Sequence, residues 1–471
     1  MASPTPLFGA PMKAHFLLDP NYNNLNHGSF GTYPSQVLEK QQSIQKSLES
    51  SPDIFIRYIQ PGLIDTSRAA LAPLLNVPVS DLVLVKNATT GVNTVLHNLA
   101  LTRTLTADDV IVYFDTVYGA VERALFALKE SWGVKLRKVK YVFPLEEGEM
   151  VKRFREVLKS VRKEGLTPKL AVFETVVSNP GIRFPFEEIT RACKEEGVLS
   201  LIDGAHAVGM IKLDLAALGV DFFTSNCHKW LYTPRSCAVL YVPERNQKFI
   251  RTSLPTSWGY VPPQVPPPES GEDEDIPPST LPNTGKSPFV ALFEFTGTTD
   301  DSAYACVPAA LNFRNEVCGG EERIYAYLER LAGEAGEVLA SALGTDVLRA
   351  VKGAGDAGKG GKRLGCSMVN VRLPIRITNL DLNSGAKDKV INVRPEDVSP
   401  LAHWLHEQLI ARGTFVPCFP HGQWMFVRLS AQVYLERSDF VWLGDVFKDI
   451  MEGVTGFLEG NKNGTQAKAK I

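Results

Sequence analysis

Short apolar runs alternate with amphipathic segments through the first half of the chain. Each run spans four to six residues, as is typical of strands that are buried on both faces of a sheet. The segments between them carry apolar residues at helical spacing, for example Val92, Val95, Leu96 and Leu99. This alternation predicts an α/β fold with a mostly parallel sheet flanked by helices. The predicted strands are 83–86, 110–114, 169–173, 198–202, a run ending near 225, and 237–242.

Charged side chains directly follow two of these predicted strands. Asp203 ends one strand in the sequence DGAH, and Lys229 follows the other in the sequence SNCHKW. Ligands of open α/β sheets bind at the carboxyl ends of the strands. A lysine amine there can bond to the aldehyde of pyridoxal 5'-phosphate (PLP), and a carboxylate can keep its pyridine nitrogen protonated. The alternative is a turn-capping Asp203 and a solvated Lys229, but the two motifs together favour a PLP enzyme.

The helix predicted to begin near residue 91 offers a candidate phosphate site. Ala88, Thr89 and Thr90 form the turn that leads into this helix. The free N–H groups and the dipole at a helix N-terminus favour a phosphate. The alternative is an N-cap by Thr89 or Thr90 without any ligand. Lys229 downstream makes the phosphate site the better interpretation.

Composition and charge argue against several classes of partner. With 471 residues, the chain can form two or three domains around a large core. Its formal net charge of −2 gives no reason to expect nucleic acid as a partner. No apolar run approaches the ~20 residues of a membrane span, and we see no secretory signal. The seven cysteines are scattered without a CxxC pair, which predicts reduced thiols in a cytoplasmic protein and no metal site.

The motifs DGAHAVG and SNCHKWLYTPRS resemble the class V aminotransferase family of PLP enzymes, and within it the isopenicillin N epimerase-like branch. The similarity runs from about residue 25 to about residue 435 and is broken by two inserts. It implies the PLP fold-type I architecture and a homodimer. The implied domains are an N-terminal arm (1–34), a large PLP-binding domain (35–315) and a small α+β C-terminal domain (316–471). A Pro-rich acidic insert occupies 261–287.

The resemblance also assigns roles to individual residues. Lys229 and Asp203 are implied to be catalytic, and Arg428 is implied to bind the substrate α-carboxylate as a bidentate fork. Tyr118 lies where many relatives place a histidine over the cofactor ring, and it can stack or donate a proton; the alternative is a core or rim tyrosine. The other implied cofactor contacts are Asn179, His206, Ser225, His228 and Thr298, the last reaching the cofactor of the partner subunit. The other implied substrate contacts are Asn26, His27, Arg57 and Tyr58.

The activity implied is the cleavage of a carbon–sulfur bond in a small amino-acid substrate. The resemblance extends to the fungal carbon–sulfur lyases of ergothioneine biosynthesis, and it implies hercynylcysteine sulfoxide, a cysteine S-conjugate of trimethylhistidine, as the substrate. Aromatic side chains would hold the trimethylammonium group, and the candidates are Tyr58, Trp258, Phe419 and Trp424. Three alternatives remain open: a cysteine desulfurase, with Cys366 as the nucleophile to consider, an amino-acid epimerase of the same family, and a non-enzymatic role if Lys229 does not bind PLP.

Overall fold

The computed structural model describes residues 7–260, 285–350, 365–379 and 390–468. The strands are β1 (Leu82–Val85), β2 (Asp109–Phe114), β3 (Lys135–Val139), β4 (Thr167–Glu174), β5 (Leu199–Asp203), β6 (Phe222–Asn226), β7 (Ala238–Tyr241), β8 (Val347–Leu348), β9 (Met368–Ile377), β10 (Ile391–Val393), β11 (Cys418–His421) and β12 (Trp424–Ser430). The helices are α1 (His27–Phe30), α2 (Ser35–Ser50), α3 (Pro52–Ile54), α4 (Gln60–Leu75), α5 (Ala88–Leu101), α6 (Gly119–Trp132), α7 (Glu147–Lys163), α8 (Phe186–Glu196), α9 (Leu215–Leu218), α10 (Cys227–Trp230), α11 (Glu244–Gln247), α12 (Pro288–Ala291), α13 (Val307–Asn312), α14 (Glu321–Leu343), α15 (Val398–Ile410) and α16 (Arg437–Lys468). Short 3-10 helices cover Ala10–His15, Val79–Asp81, Tyr304–Cys306 and Pro395–Asp397, and π-helical turns cover Phe55–Ile59 and Phe313–Val317.

The larger sheet has seven strands in the order β1-β7-β6-β5-β4-β2-β3. Strands β3, β2, β4, β5 and β6 run parallel to one another. At the other edge, β7 pairs antiparallel with both β6 and β1. Glu174 at the end of β4 is in register with Asp203 at the end of β5. The carboxyl ends of β2, β4, β5 and β6 therefore meet at one edge of the sheet, where ligands of such folds bind.

Alternate residues of the parallel strands face two separate hydrophobic clusters. On β2, Val110 and Val112 face one cluster, while Ile111 and Tyr113 face the other. Helices α4, α7 and α8 contribute to the first cluster, and α5 and α6 contribute to the second. Burial on both faces explains the unbroken apolar runs of the sequence and confirms the predicted α/β architecture.

The smaller sheet has five strands, with the order β10-β9-β12-β11 and β8 paired to β9. Helices α14 and α15 pack against it, α16 packs against these two helices, and all three share its core. Where β12 ends, the Ser430 N–H donates to the Leu25 carbonyl at 2.9 Å, and the Gly28 N–H donates to the Ser430 hydroxyl at 3.2 Å. The N-terminal segment and the end of β12 are thus fastened together.

The predicted strands agree with the structure to within two residues at each described end, but β3 of the larger sheet and β8, β10 and β11 of the smaller sheet were not predicted. The β3 sequence KLRKV mixes basic and apolar residues because β3 is an edge strand that is only partly buried. Helix α5 begins at Ala88, and its N-cap is Asn87 rather than Thr89 or Thr90. Residues 261–284 of the insert expected at 261–287 lie outside the described residues.

Candidate active site

The carboxyl ends of β5 and β6 bring Asp203 and Lys229 to the same edge of the sheet. Strand β5 ends at Asp203, and β6 ends at Asn226, so the short helix α10 carries Lys229 immediately beyond the strand. The charge of each residue shifts the pKa of the other, as expected of neighbours. The structure therefore brings together the two residues on which the sequence prediction rested.

The amine of Lys229 lies in a buried environment with positive charge nearby. Burial lowers the pKa of Lys229, the charge of Arg428 lowers it further and the charge of Asp203 partly offsets both, leaving a value of about 8. This amine lies 3.4 Å from Nε2 of His206. A lysine with such a pKa is partly uncharged near neutral pH and can act as a nucleophile or base.

His206 is buried beside this amine. The indole N–H of Trp230 donates to Nδ1 of His206 at 3.2 Å. Burial, and after it the charges of Lys229 and Arg428, hold the pKa of His206 well below its usual value. The imidazole is therefore neutral at physiological pH.

The N-terminus of α5 lies against the end of β6. The Ala88 N–H donates to Oδ1 of Asn226 at 2.8 Å, and the Thr90 N–H donates to Oδ1 of Asn87 at 2.8 Å. Gly91 sits so close to Thr224 that an added Cβ would lie 2.3 Å from its hydroxyl oxygen. This contact seats the helix end beside α10 and leaves the exposed Thr89 at its tip.

Two further predicted residues shape the turns around Lys229. The Ser225 hydroxyl accepts the Val208 N–H at 3.0 Å and so holds the loop that follows Asp203. Nδ1 of His228 lies 3.0 Å from the Cys237 carbonyl. Burial lowers the pKa of His228 to about 4, so its ring is neutral and Nδ1 donates to this carbonyl.

Arg428 is a buried guanidinium at the end of β12. Its Nη1 donates to the carbonyl and the hydroxyl of Ser178 at 2.7 and 3.2 Å, and its Nη2 donates to Asn26 Oδ1 and Ser29 Oγ at 2.9 Å each. All four of these acceptors are neutral oxygens, and Nε is buried without a partner. Burial lowers the pKa of Arg428 to about 10. A buried arginine in this state is prepared to receive an anion.

His27 and Asn26, both predicted to contact substrate, occupy different positions. Asn26 lies against Arg428, whereas His27 lies behind the backbone of Lys229. Nε2 of His27 donates to the Lys229 carbonyl at 2.7 Å, and Nδ1 accepts from the Tyr434 hydroxyl at 3.0 Å. The N-terminal segment thus supports the lysine and the arginine at once.

Tyr118 lies at the N-cap of α6, with 49% of its side chain exposed. Burial lowers the pKa of Arg428, and Cys366 and Tyr118 lie near enough to the guanidinium to offset part of this effect. The backbone N–H of Tyr118 donates to the buried carboxyl of Glu174. The turn is therefore anchored through the backbone and does not depend on the phenol.

Comparison with known proteins identifies the family. The model of the class V aminotransferases matches residues 61–257. The L-cysteine desulfhydrase-like protein lolT1 of Epichloe uncinata is 40% identical over 450 residues, covering 95% of this chain and 96% of that protein. The chain belongs to the class V aminotransferase family.

Two other similarities support this assignment. The hercynylcysteine sulfoxide lyase of Schizosaccharomyces pombe is 30% identical over 443 residues, covering 94% of this chain and 98% of that protein. The structure of the cystine C–S lyase C-DES superimposes with a TM-score of 0.64 at 20% identity, covering 90% of this chain and 97% of that one. The predicted fold-type I architecture and the PLP cofactor are confirmed, and the chain is an enzyme of the carbon–sulfur lyase kind.

The residues at the sheet edge fit PLP. Asp203 is only 4% exposed, and a protonated pyridine nitrogen would give this buried carboxylate an ion partner. The amine of Lys229 has the lowered pKa that bonding to an aldehyde requires. At the N-terminus of α5, the exposed Thr89 offers a hydroxyl and an amide donor suited to the phosphate, whereas the N–H of Ala88 and the N–H and hydroxyl of Thr90 donate to Asn226 and Asn87.

Four residues that the sequence argument did not assign also shape this site: Asn226, Trp230, Glu174 and Arg314. Arg314 is fully buried, pairs with Glu321, and donates to the Trp230 carbonyl at 2.7 Å and the Gly209 carbonyl at 3.0 Å. Burial, and after it the charge of Asp203, raises the pKa of Glu174 well above its usual value. Glu174 could have been suspected, because it ends an apolar strand as Asp203 does, whereas nothing local points to Arg314.

Several predicted site residues lie on the surface of the chain. Arg57 bonds to Asp53 at 3.5 Å, and Tyr58 is 75% exposed. Asn179 and Thr298 are also exposed. Their roles stay predictions, since a second subunit would have to complete the surroundings of Thr298, Arg57 and Tyr58.

Two of the four aromatic candidates for a trimethylammonium site already have other partners. The guanidinium of Arg372 lies 4.2 Å from the ring centre of Trp424, so that face is taken by a cation of the protein itself. Phe419 is buried and stacks on Phe426. Tyr58 and Trp258 remain, and both are exposed.

Two other features bear on the sequence predictions. Among the described residues, no cluster of histidine, cysteine or acidic side chains could hold a metal ion. In the same part of the chain, no helix combines the length and hydrophobicity needed to cross a bilayer.

We predict that Arg428→Ala raises KM much more than it lowers kcat. Losing a hydrogen-bonded charge contact costs about 1.5–3 kcal/mol, which corresponds to a rise in KM of roughly 10- to 150-fold. Steady-state kinetics with a thermal melt of each variant measures this. Arg372→Ala is the matched control, because Arg372 lies on neighbouring β9 and pairs with Asp346. An unchanged KM in a folded Arg428→Ala protein would place the carboxylate site elsewhere.

Proposed function

We propose that this enzyme cleaves the carbon–sulfur bond of hercynylcysteine sulfoxide by β-elimination. The products would be pyruvate, ammonia and ergothioneine, the last by way of its sulfenic acid and a thiol reductant. The observation that supports an amino-acid substrate is Arg428, a buried guanidinium whose described acceptors are all neutral. The sulfoxide is the finer part of the proposal, and a relative of that activity at 30% identity supports it.

Each of four side chains has a separate role in the proposed reaction. PLP, when bound, supplies the electron sink that makes the substrate Cα–H acidic. Arg428 orients the substrate through its α-carboxylate, and Lys229 takes the Cα proton as a general base. Asp203 stabilises the proton on the pyridine nitrogen. Tyr118 donates its proton or a hydrogen bond to the departing sulfur.

The bonds and electrons of this elimination balance without an oxidant. The Cα–H and Cβ–S bonds break, and the electron pair of the Cα–H bond forms the carbon–carbon double bond. Sulfur departs with the electron pair of the Cβ–S bond. The three-carbon remainder takes up water and yields pyruvate and ammonia, so only the sulfenic acid needs a reductant.

A desulfurase is the weaker candidate because Cys366 is poorly suited to be a nucleophile. Its thiol lies 3.4 Å from the Met368 carbonyl, to which it can donate, and burial raises its pKa to about 11. The thiolate, which is the reactive form, is therefore scarce at neutral pH. Simple L-cysteine is the stronger rival substrate, since the 40% identical relative is named for a desulfhydrase.

Product analysis with three substrates tests the proposal. We expect pyruvate from the sulfoxide with a kcat/KM above that for L-cysteine and for the unoxidised sulfide. A preference for L-cysteine would make the protein a desulfhydrase. Alanine with a persulfide on Cys366 would make it a desulfurase, and racemised substrate without pyruvate would make it an epimerase.

The trimethylammonium group offers a further prediction on the same substrate. It cannot donate hydrogen bonds, so aromatic faces or carboxylates must hold it, and such contacts are worth about 0.5–2 kcal/mol. The analogue that lacks the three methyl groups should therefore show a KM roughly 2- to 30-fold higher. Trp258→Ala should remove the difference between the two substrates if Trp258 holds the group. Equal KM values in the wild type would remove the cation–π argument.

We also propose that the enzyme acts as a homodimer. Thr298 is exposed, yet its neighbours are held firmly, because Lys86 bonds to Thr299 at 2.9 Å and pairs with Asp301. A firmly held but exposed hydroxyl suits a contact to the cofactor phosphate of a second subunit. Arg57 and Tyr58 would reach the substrate pocket by the same association.

A further inference from the structure

Trp230 follows Lys229 directly and points its indole toward His206. Its side chain is fully buried, and Nε1–H lies 3.2 Å from Nδ1 of His206. An indole N–H can only donate a hydrogen bond. Nδ1 of His206 must therefore be the accepting nitrogen, and the neutral ring carries its proton on Nε2.

The protonated Nε2 of His206 faces the amine of Lys229 at 3.4 Å. An ammonium group has three donors and no acceptor, so an Nε2–H facing it would set donor against donor. An uncharged amine has a lone pair and can accept that proton. The arrangement thus favours the uncharged form of Lys229, in the same direction as burial and the charge of Arg428, which together lower its pKa to about 8.

The indole is held so that it cannot easily turn away. Its backbone carbonyl accepts from Arg314 at 2.7 Å, and its ring packs against His27 with the centroids 5.2 Å apart. Gly209 crosses so closely that an added Cβ would lie 2.5 Å from the Trp230 backbone. The donor is therefore fixed by contacts on several sides of Trp230.

We propose that Trp230 is a positioning residue: its indole N–H fixes the tautomer of His206, and that tautomer keeps the free Lys229 side chain as an amine ready to bond to the cofactor aldehyde. The proposal rests on Lys229 being the cofactor lysine. Its effect should be visible before any substrate is present, when the cofactor-free protein binds PLP.

Trp230→Phe keeps an aromatic ring but removes the donor. Without it, His206 can adopt the other tautomer and accept from an ammonium, so Lys229 stays charged to higher pH. We expect the midpoint of the pH profile for covalent PLP capture to rise by about one unit, which makes capture roughly tenfold slower near pH 7. Capture is followed by absorbance and by borohydride trapping with mass spectrometry of the Lys229 peptide.

Two comparisons isolate the effect. Trp132→Phe is the matched control, since Trp132 is partly exposed at the end of α6 and should leave the midpoint unchanged. In a His206→Gln background, Trp230→Phe should add no further shift, because there is no tautomer left to fix. If folded Trp230→Phe captured PLP with the same pH midpoint as the wild type, the proposal would be overturned.

The tautomer itself can be read in the wild-type protein, so the test does not depend on the folding of a variant. In the ¹⁵N spectrum of histidine-labelled, cofactor-free protein, the His206 signals are those lost in His206→Gln. We expect Nε2 to carry the proton, and a proton on Nδ1 would refute the proposal. Undiminished covalent capture by Lys229→Ala would instead overturn the assignment of the cofactor lysine.

Discussion

Replacing Lys229 with alanine should abolish both the covalent capture of PLP and turnover. Lys229 is the amine that the end of β6 and helix α10 place at the sheet edge, with its pKa lowered to about 8. A loss of at least 10³-fold in kcat is expected, since one residue serves as the cofactor's anchor and the general base. The purified variant should lack the yellow absorbance of the bonded cofactor.

The control for this experiment is Lys212→Ala. Lys212 is exposed and pairs with Glu322 at 2.8 Å, so its loss should change neither the absorbance nor the rate. PLP should still associate with Lys229→Ala without a covalent bond, because Asp203 and the α5 terminus remain. Normal turnover in Lys229→Ala would refute the site as a whole, including the role of Asp203.

Tyr118→Phe should lower kcat by roughly 10²- to 10⁴-fold, because general acid catalysis usually contributes that much to the rate. PLP binding should change little. The substitution keeps the ring, so any stacking on the cofactor survives. It also keeps the hydrogen bond from the backbone N–H of residue 118 to Glu174, so the turn stays anchored. Only the proton available to the departing sulfur is removed.

A change of leaving group separates the two possible roles of Tyr118. A cysteine conjugate whose thiolate leaves without protonation should be cleaved by Tyr118→Phe at nearly the wild-type rate. The sulfoxide should be cleaved slowly, and a sulfur-bearing intermediate should accumulate in pre-steady-state spectra. Equal rates of the two proteins with the sulfoxide would leave Tyr118 as a stacking platform only.

Local sequence determined much of the fold. The strands that are buried on both faces must be apolar throughout, and their runs could therefore be located, whereas β3 escaped because an edge strand tolerates KLRKV. The start of α5 was misplaced by about three residues, because Asn87 caps it earlier than the apolar periodicity begins. Periodicity reports the buried face of an element and says little about its ends.

The two central residues of the site were also accessible from sequence. Asp203 and Lys229 each follow an apolar strand, and parallel strands present their carboxyl ends at one edge. Arg428 was placed by resemblance alone, since nothing in its surrounding sequence shows that its guanidinium is buried. The resemblance marked Asn26 and His27 as one group, although they act on different partners.

Only the tertiary structure decided how these residues are held, because the partners are far apart in the chain. His27 meets the carbonyl of Lys229 across 202 positions, and Asn26 meets Arg428 across 402 positions. The same holds for Trp424, whose ring face is taken by Arg372 of the neighbouring strand. Apolar patterning sets which faces are buried, while the direction of each hydrogen bond depends on which donor and acceptor the packed elements bring together. The sequence therefore determined the sheet edge and its lysine, and the packing determined the buried surroundings that lower the pKa of that lysine.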